Sequence, residues 1–221
     1  MNKLTLELIK QLPKVELHCH LDGSLRVDTI IDLAKKNNID LPTIDKNKLS
    51  NLISLNSQNI SLEKYIALFD ITLSVMQNKK SLERISYELM EDLSNDNVVY
   101  AEIRFSPILH TKNNLTIDDA LRSVKTGLEK GSKKFGIKYG IIICGIRSID
   151  PSVSIKLAEL AVNYKNNGVV GFDLAGAEYN YPAKKHKEAF YIIRNNNINT
   201  TIHAGEAFGP ESIHQAIHTC G

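Results

Sequence analysis

No stretch of about 20 apolar residues occurs in this 221-residue chain, so no segment reads as a membrane-spanning helix. The opening MNKLTLELIKQLPK carries polar groups throughout and lacks the apolar centre of a secretory leader. Cysteine is scarce. Cys19, Cys144 and Cys220 are widely spaced, two of them lie in strand-like apolar runs, and no Cys-x-x-Cys occurs. That suits reduced, buried thiols in a cytoplasm better than a disulfide framework. An excess of one charge is missing too, since 27 Lys and Arg face 25 Asp and Glu for a net +2. Neither nucleic acid nor an anionic membrane is therefore expected as a partner. Gly-rich phosphate loops, serine nucleophile elbows, internal repeats and low-complexity tracts are all absent. What is present is 43% apolar residues, enough for a substantial core in one domain or a small pair.

The apolar pattern alternates between two kinds of segment. Short, partly β-branched runs at Val15–Leu21, Val98–Phe105, Tyr139–Ile146, Val169–Leu174 and Thr200–Ala204 predict buried parallel strands. Helical spacing links Val27, Ile30, Ile31 and Ala34, and again Leu62, Tyr65, Ile66, Phe69, Leu73 and Met76. Leu82, Ile85, Leu89 and Leu93 predict another helix, capped by Ser81. Thr116 caps the next, and Asp150-Pro151 opens one that Gly168 ends. Ala189, Phe190, Ile192 and Ile193 mark a short helix, and Gly209-Pro210 begins the last. The polar connection Ile39–Ser61 has the least ordered pattern. Repeated βα alternation implies a parallel sheet with helices outside, either an open doubly wound sheet or a closed barrel.

Four motifs carry possible chemistry. In His18-Cys19-His20, strand alternation turns both imidazoles to one face and Cys19 to the other, so the two rings can share a metal ion. Two idle, hydrogen-bonded histidines would satisfy the same pattern. The motif ends the first strand at Asp22-Gly23, where βα folds place their sites. His203, at the end of the fifth strand, is a natural third ligand, and neutral imidazole suits Zn²⁺. Glu206, just beyond Gly205, can hold a proton for a substrate if burial raises its pKa. Each of the two alone reads equally as a core histidine and a helix N-terminal acid. Gly171-Phe172-Asp173-Leu174-Ala175-Gly176-Ala177-Glu178 supplies a tight turn that lets a ligand approach the backbone. Glu102 and Arg104 share one face of an apolar strand, so a structural ion-pair layer with Glu16 or Asp173 is expected. His186, His214 and His218 fall on helical or polar segments and are expected on the surface, while His110 can reach a pocket rim.

Together these residues resemble a family. Leu-Pro-Lys-Val-Glu-Leu-His-Cys-His-Leu-Asp-Gly-Ser-Leu-Arg, Phe-Asp-Leu-Ala-Gly-x-Glu and His-Ala-Gly-Glu are similar, in this order, to three signatures of the adenosine deaminases among the metal-dependent amidohydrolases. The resemblance implies a TIM (β/α)8 barrel that holds one Zn²⁺ and deaminates adenosine or deoxyadenosine to inosine and ammonia in the cytoplasm. His18, His20 and His203 would be metal ligands and Glu206 the catalytic proton donor to N1. Gly176, Asp22 and His20 would bind substrate, Gly176 through its backbone to the base and Asp22 to the ribose. Adenine or a modified purine nucleoside is the alternative substrate, although Asp22-Gly23-Ser24 favours adenosine over the Ile-Glu-Gly pattern of adenine deaminases. The family also carries an Ile-Gly-His-Gly segment on strand six and an Asp-Asp pair on strand eight. Residues 1–221 therefore read as a partial barrel domain truncated after about five βα units. The 221 residues alone are expected to be poorly stable and nearly inactive, a non-catalytic remnant or a module completed by a second chain or continuation that supplies the missing strands.

Overall fold

The computed structural model describes residues 5–54 and 61–221. Its centre is a sheet of five parallel strands in chain order. They are β1 (Lys14–His20), β2 (Val98–Phe105), β3 (Lys138–Ile146), β4 (Val169–Ala175) and β5 (Asn199–Thr200). Sequential parallel neighbours joined by helices are the repeating units of a (β/α) barrel, here five of them. Helices α1 (Leu6–Gln11), α2 (Val27–Asn37), α3 (Lys46–Ile53), α4 (Leu62–Ser74) and α5 (Lys79–Asn95) flank β1. After β2, helices α6 (Ile117–Phe135), α7 (Pro151–Tyr164), α8 (Lys187–Asn195) and α9 (Pro210–Gln215) alternate with the strands, and a π turn follows over Ala216–Cys220.

Strand alternation divides the sheet into two faces. Ala101, Ile103 and Phe105 of β2, Ile141 and Ile143 of β3 and Phe172 and Leu174 of β4 are buried in the hydrophobic core with Leu82, Leu121, Leu128, Leu157 and Phe190 of the helices. Each such side chain contributes roughly 1.5–3 kcal/mol by leaving water. The opposite parity of β2 and β4 holds Arg104 and Asp173, and these polar groups face the interior of the curved sheet.

Helix ends follow the expected chemistry with three differences. Thr116 makes a full capping box with Asp119, and Asp150 caps α7 ahead of Pro151. The α5 cap is Asn78 rather than Ser81, because Asn78 accepts from the Ser81 N–H and the helix gains a first turn through Lys79 and Lys80. Apolar periodicity starts only at Leu82 and so hides that turn. Helix α7 ends at Tyr164, and Gly168, with φ of 102°, turns the chain into β4. The polar connection Ile39–Ser61 contains α3, capped by Asp45 and anchored by the buried Leu49, with Ile39, Leu41 and Ile53 packed partly against the core. Residues 55–60 of that connection lie outside the described residues.

The fifth strand is shorter than Thr200–Ala204. Regular pairing stops at Thr200, although the N–H groups of Thr201 and His203 still donate to Phe172 and Leu174 carbonyls at 3.0 Å. Beyond that point the His203 carbonyl is taken by the Arg147 side chain.

Helices α5 and α6 meet backbone to side chain at Gly127. A Cβ there would sit 2.2 Å from the Glu83 carbonyl oxygen and 2.7 Å from Ser86 Cβ. Alanine is the better helix former by about 1 kcal/mol, but overpacking against a fixed backbone oxygen costs about 1–3 kcal/mol. Gly127→Ala is therefore expected to lower the urea midpoint of unfolding. A midpoint equal to or above that of the parent would show that the α5–α6 contact is looser than described.

Candidate metal centre and active site

Strands β1 and β5 stand at opposite ends of the described sheet, yet its curvature brings their C-terminal ends together. His18 Nε2 lies 3.3 Å from His203 Nε2, and His20 Nε2 lies 3.2 Å from the same atom. The three ring centroids are 4.8–5.2 Å apart. Among the described residues these histidines form the one group of three potential metal donors, all within 4.8 Å of one another.

The proton bookkeeping of this cluster is informative. Arg104 Nη1 donates to His20 Nδ1 at 2.9 Å, which leaves that ring's proton on Nε2, pointing at His203. His203 Nδ1–H donates to Asp173 Oδ1 at 3.2 Å, so His203 Nε2 offers one lone pair. Asp173 Oδ2 accepts from Arg104 Nε at 3.1 Å and closes a ring of four residues from four strand ends. His203 Nε2 thus faces two ring nitrogens with a lone pair for one of them. Hydrogen bonding leaves one nitrogen–nitrogen contact unsatisfied, and a cation shared by the three Nε2 atoms would require the His20 proton to leave Nε2 and the Arg104–His20 hydrogen bond to break. Zn–N bonds of about 2.0–2.1 Å in a tetrahedron place ligand nitrogens about 3.3 Å apart, so the two spacings to His203, 3.3 and 3.2 Å, and the imidazole donor type suit Zn²⁺.

Burial lowers the pKa of His18, with help from the neighbouring His203 and Arg104 charges against Asp173. It brings His20 down to about 3, again with Arg104 and His203 adding to desolvation. Both rings are then neutral near pH 7, the form that ligates. Asp173 is fully buried, and burial alone would raise its pKa. The His203 hydrogen bond and the Arg104 charge outweigh that and hold it below the ordinary carboxylate range. Cys144 also touches the Arg104 guanidinium, but burial pushes its thiol far up, so it stays protonated. Cys19 turns away from the cluster, its Sγ 3.7 Å from Ser24 Oγ, as strand alternation requires.

A cavity of about 490 Å³ opens beside the rings, bordered by His20, Asp22, Arg104, Gly176, His203 and Glu206, with Leu62, Tyr65 and Phe69 of α4 as an apolar wall. Asp22 is buried, desolvation raises its pKa, and its Oδ1 has no hydrogen-bond partner. Gly176 has φ of 100°, which a residue with a Cβ rarely adopts, and so brings the backbone to the cavity wall. Glu206 lies at the rim, with its side chain exposed rather than buried.

Several sequence expectations change here. Arg104 does pair with Asp173, but Glu102 accepts from the Tyr100 hydroxyl at 2.9 Å and Glu16 from the His18 N–H at 3.2 Å. His186 is buried rather than solvated, between Ser154 Oγ at 2.8 Å and the Arg147 carbonyl at 3.2 Å. His110 is buried as well, with Nδ1 3.1 Å from the Met76 carbonyl. His214 and His218 are exposed. Two residues escaped notice as site elements. Arg147 donates to the His203 and Tyr181 carbonyls, and Glu178 accepts backbone N–H groups on both sides of Glu206. A charge closing the apolar run Ile141–Ile146 was the available signal for Arg147.

A family model described as adenosine deaminase matches residues 13–221. A probable adenosine deaminase of Dictyostelium discoideum is 45% identical over 219 residues, 99% of this chain and 28% of that protein. An adenosine deaminase of Mycobacterium ulcerans is 44% identical over 223 residues, 98% of this chain and 61% of the relative. The chain thus spans well under two thirds of the length of these relatives. The crystal structure of an Arabidopsis N6-mAMP deaminase superposes with a TM-score of 0.82 at 27% identity, covering 96% of this chain and 64% of that one.

Asp173→Ala leaves the Arg104 guanidinium buried without its carboxylate and His203 without its orienting acceptor. Breaking such a pair from one side costs about 3–5 kcal/mol. The expected result is a large drop in the thermal midpoint together with weaker metal retention. An unchanged midpoint would mean that Arg104 reaches water or another anion.

Proposed function

The chain belongs to the adenosine deaminase family, and from that premise we propose that it carries the zinc site and nucleoside pocket of a hydrolytic adenosine deaminase, converting adenosine and water to inosine and ammonia. The observation that supports this most directly is the convergence of three imidazole nitrogens from the ends of β1 and β5 beside a cavity of about 490 Å³. His18, His20 and His203 hold Zn²⁺ in this reading. When bound there, the ion supplies the acidity that lets water act as a nucleophile near neutral pH.

The remaining steps fall to the chain itself. Glu206 carries a proton to N1 of the purine, and the protonated ring draws electron density from C6, where water adds. The backbone N–H of Gly176 orients the base. Asp22 accepts a ribose hydroxyl with its otherwise unpartnered Oδ1. Leu62, Ile66, Phe69 and Leu73 cover the purine and exclude bulk water, which strengthens each of these polar contacts.

Electrostatics favours a nucleoside over a nucleotide. The cavity wall carries the carboxylates of Asp22, Asp70 and Glu206. Among its described residues the one guanidinium, Arg104, is already committed to Asp173 and His20. A phosphate dianion would meet three acids and no free cation. The N6-mAMP deaminase shares the fold, but these residues offer no seat for its phosphate.

The test compares adenosine, adenine and adenosine monophosphate with the zinc-loaded protein, its remaining barrel strands present in the same chain or supplied by a second one, and with its Asp22→Ala and His203→Ala variants. Inosine is expected from adenosine alone, with about one zinc per chain. His203→Ala should lose both metal and turnover, and Asp22→Ala should keep its metal while KM for adenosine rises about tenfold or more, as loss of a buried hydrogen bond to substrate implies. Deamination of adenine in preference to adenosine, or full metal binding by His203→Ala, would overturn the reading.

A further inference from the structure

Glu178 closes the motif after β4, and the reaction outlined above gives it no task. It is 3% exposed, and both of its oxygens serve a single stretch of backbone. Oε1 accepts from Gly205 N at 2.6 Å, and Oε2 accepts from Ala207 N and, at 2.9 Å, from Phe208 N. The residue enclosed by these three donors is Glu206.

That stretch has little else to hold it. The β4–β5 ladder gives its last hydrogen bond at His203 N, and α9 begins at Pro210. No hydrogen bond or ion pair reaches the Glu206 carboxylate among the described residues, so the backbone alone fixes where its side chain starts. Arg147 secures the entrance of the loop by donating to the His203 carbonyl and, at 3.0 Å, to that of Tyr181. A buried cation thus grips the loop at its first carbonyl and a buried anion grips its N–H groups. Hydrogen bonds to a full charge are about twice as strong as neutral ones, and three amides converging on one carboxylate fix the curvature of the loop.

We propose that Glu178 is a positioning residue that fixes the backbone of Gly205–Phe208 and thereby aims the Glu206 carboxylate at the substrate. The inference rests on the assignment of Glu206 as proton donor. It also adds a requirement of its own, since the acid works only while a second acid behind it is intact. A misplacement of about 1 Å at a reacting group costs on the order of 100-fold in rate.

The experiment uses the zinc-loaded protein, its remaining barrel strands present in the same chain or supplied by a second one, and its Glu178→Gln and Glu178→Ala variants. It reads kcat and KM for adenosine, zinc stoichiometry and amide hydrogen exchange. The expected result is unchanged zinc, KM within about threefold and kcat lowered about 10- to 100-fold in the alanine variant. Glutamine, which keeps one acceptor oxygen, should fall between that and the parent. Exchange should quicken at residues 205, 207 and 208 and not in β1 or β4. The proposal fails if the alanine variant keeps kcat within about twofold, or if its loss of kcat merely follows loss of zinc or of protection across the sheet. Should neither variant fold, the parent protein still decides, because unprotected amides at 205, 207 and 208 would refute the clamp. Absence of turnover in the parent would instead refute the reading of Glu206, and the exchange result would stand apart from it.

Discussion

The guanidinium of Arg104 and the carboxylate of Asp173 meet 3.1 Å apart, both buried, and they reach across β3 to do so. Neither charge can stay in the interior without the other, since an isolated buried ion costs several kcal/mol even after relaxation. Having paired, each has one arm left, and each arm takes a ring. Arg104 reaches His20 at the end of β1, and Asp173 reaches His203 just beyond β5. The two rings could not be brought nose to nose by apolar packing, which is non-directional. They are placed by a closed circuit of hydrogen bonds anchored in the sheet. Replacing both charges with apolar side chains of similar volume is often neutral or stabilising in such settings. What this pair contributes beyond net stability is therefore orientation, and the imidazoles are the groups that it orients.

Much of this centre was legible as a pattern. His-x-His on a strand must present two rings to one side, and a histidine followed by a turn at a later strand end must point toward the same mouth. The strand runs were plainest for β2 to β4, where mostly apolar residues fill strands that are largely buried, whereas β1, expected to be buried, leaves Val15 and Leu17 exposed. Arg104 and Asp173 could be recognised as a pair from parity and burial. Where the reading fell short, tertiary contacts had overridden local signals. His186 sits in a segment flanked by lysines, yet it is buried because Ser154 and the Arg147 carbonyl fit its two nitrogens. Beyond the two paired residues of β5, a side chain, not a strand, claims the His203 carbonyl. Hydropathy has no means of registering either event.

Arg147 and Glu178 share one property, namely that they act on backbone. Arg147 holds carbonyls and Glu178 holds N–H groups, so although Glu178 stands in a motif, its partnership is with main chain and no side-chain pattern announces it. Their own identities are the sole record. A buried, hydrogen-bonded acid in such a place keeps its charge: burial pushes Glu178 up, and hydrogen bonds from Ser212 and from the Ala207, Gly205 and Phe208 amides bring it below its ordinary value. Loops at the C-terminal edge of a barrel are free to vary only to the extent that such clamps are absent.

Asp22 shows the opposite economy, and the contrast separates the groups that face the ligand from those behind them. Behind the cavity every polar atom of Asp173 and Glu178 is answered, often more than once. Inside it, Asp22 is buried, its pKa is raised by desolvation, and Oδ1 has no partner. A buried acceptor left in that state costs about 1–3 kcal/mol, a sizeable part of the 5–15 kcal/mol that separates folded from unfolded in a typical domain. Helix α4 places Tyr65 and Phe69 in the wall of the same cavity. In the proposed reading, a hydroxyl arriving with an apolar base attached satisfies the unpartnered acceptor and the apolar wall at once.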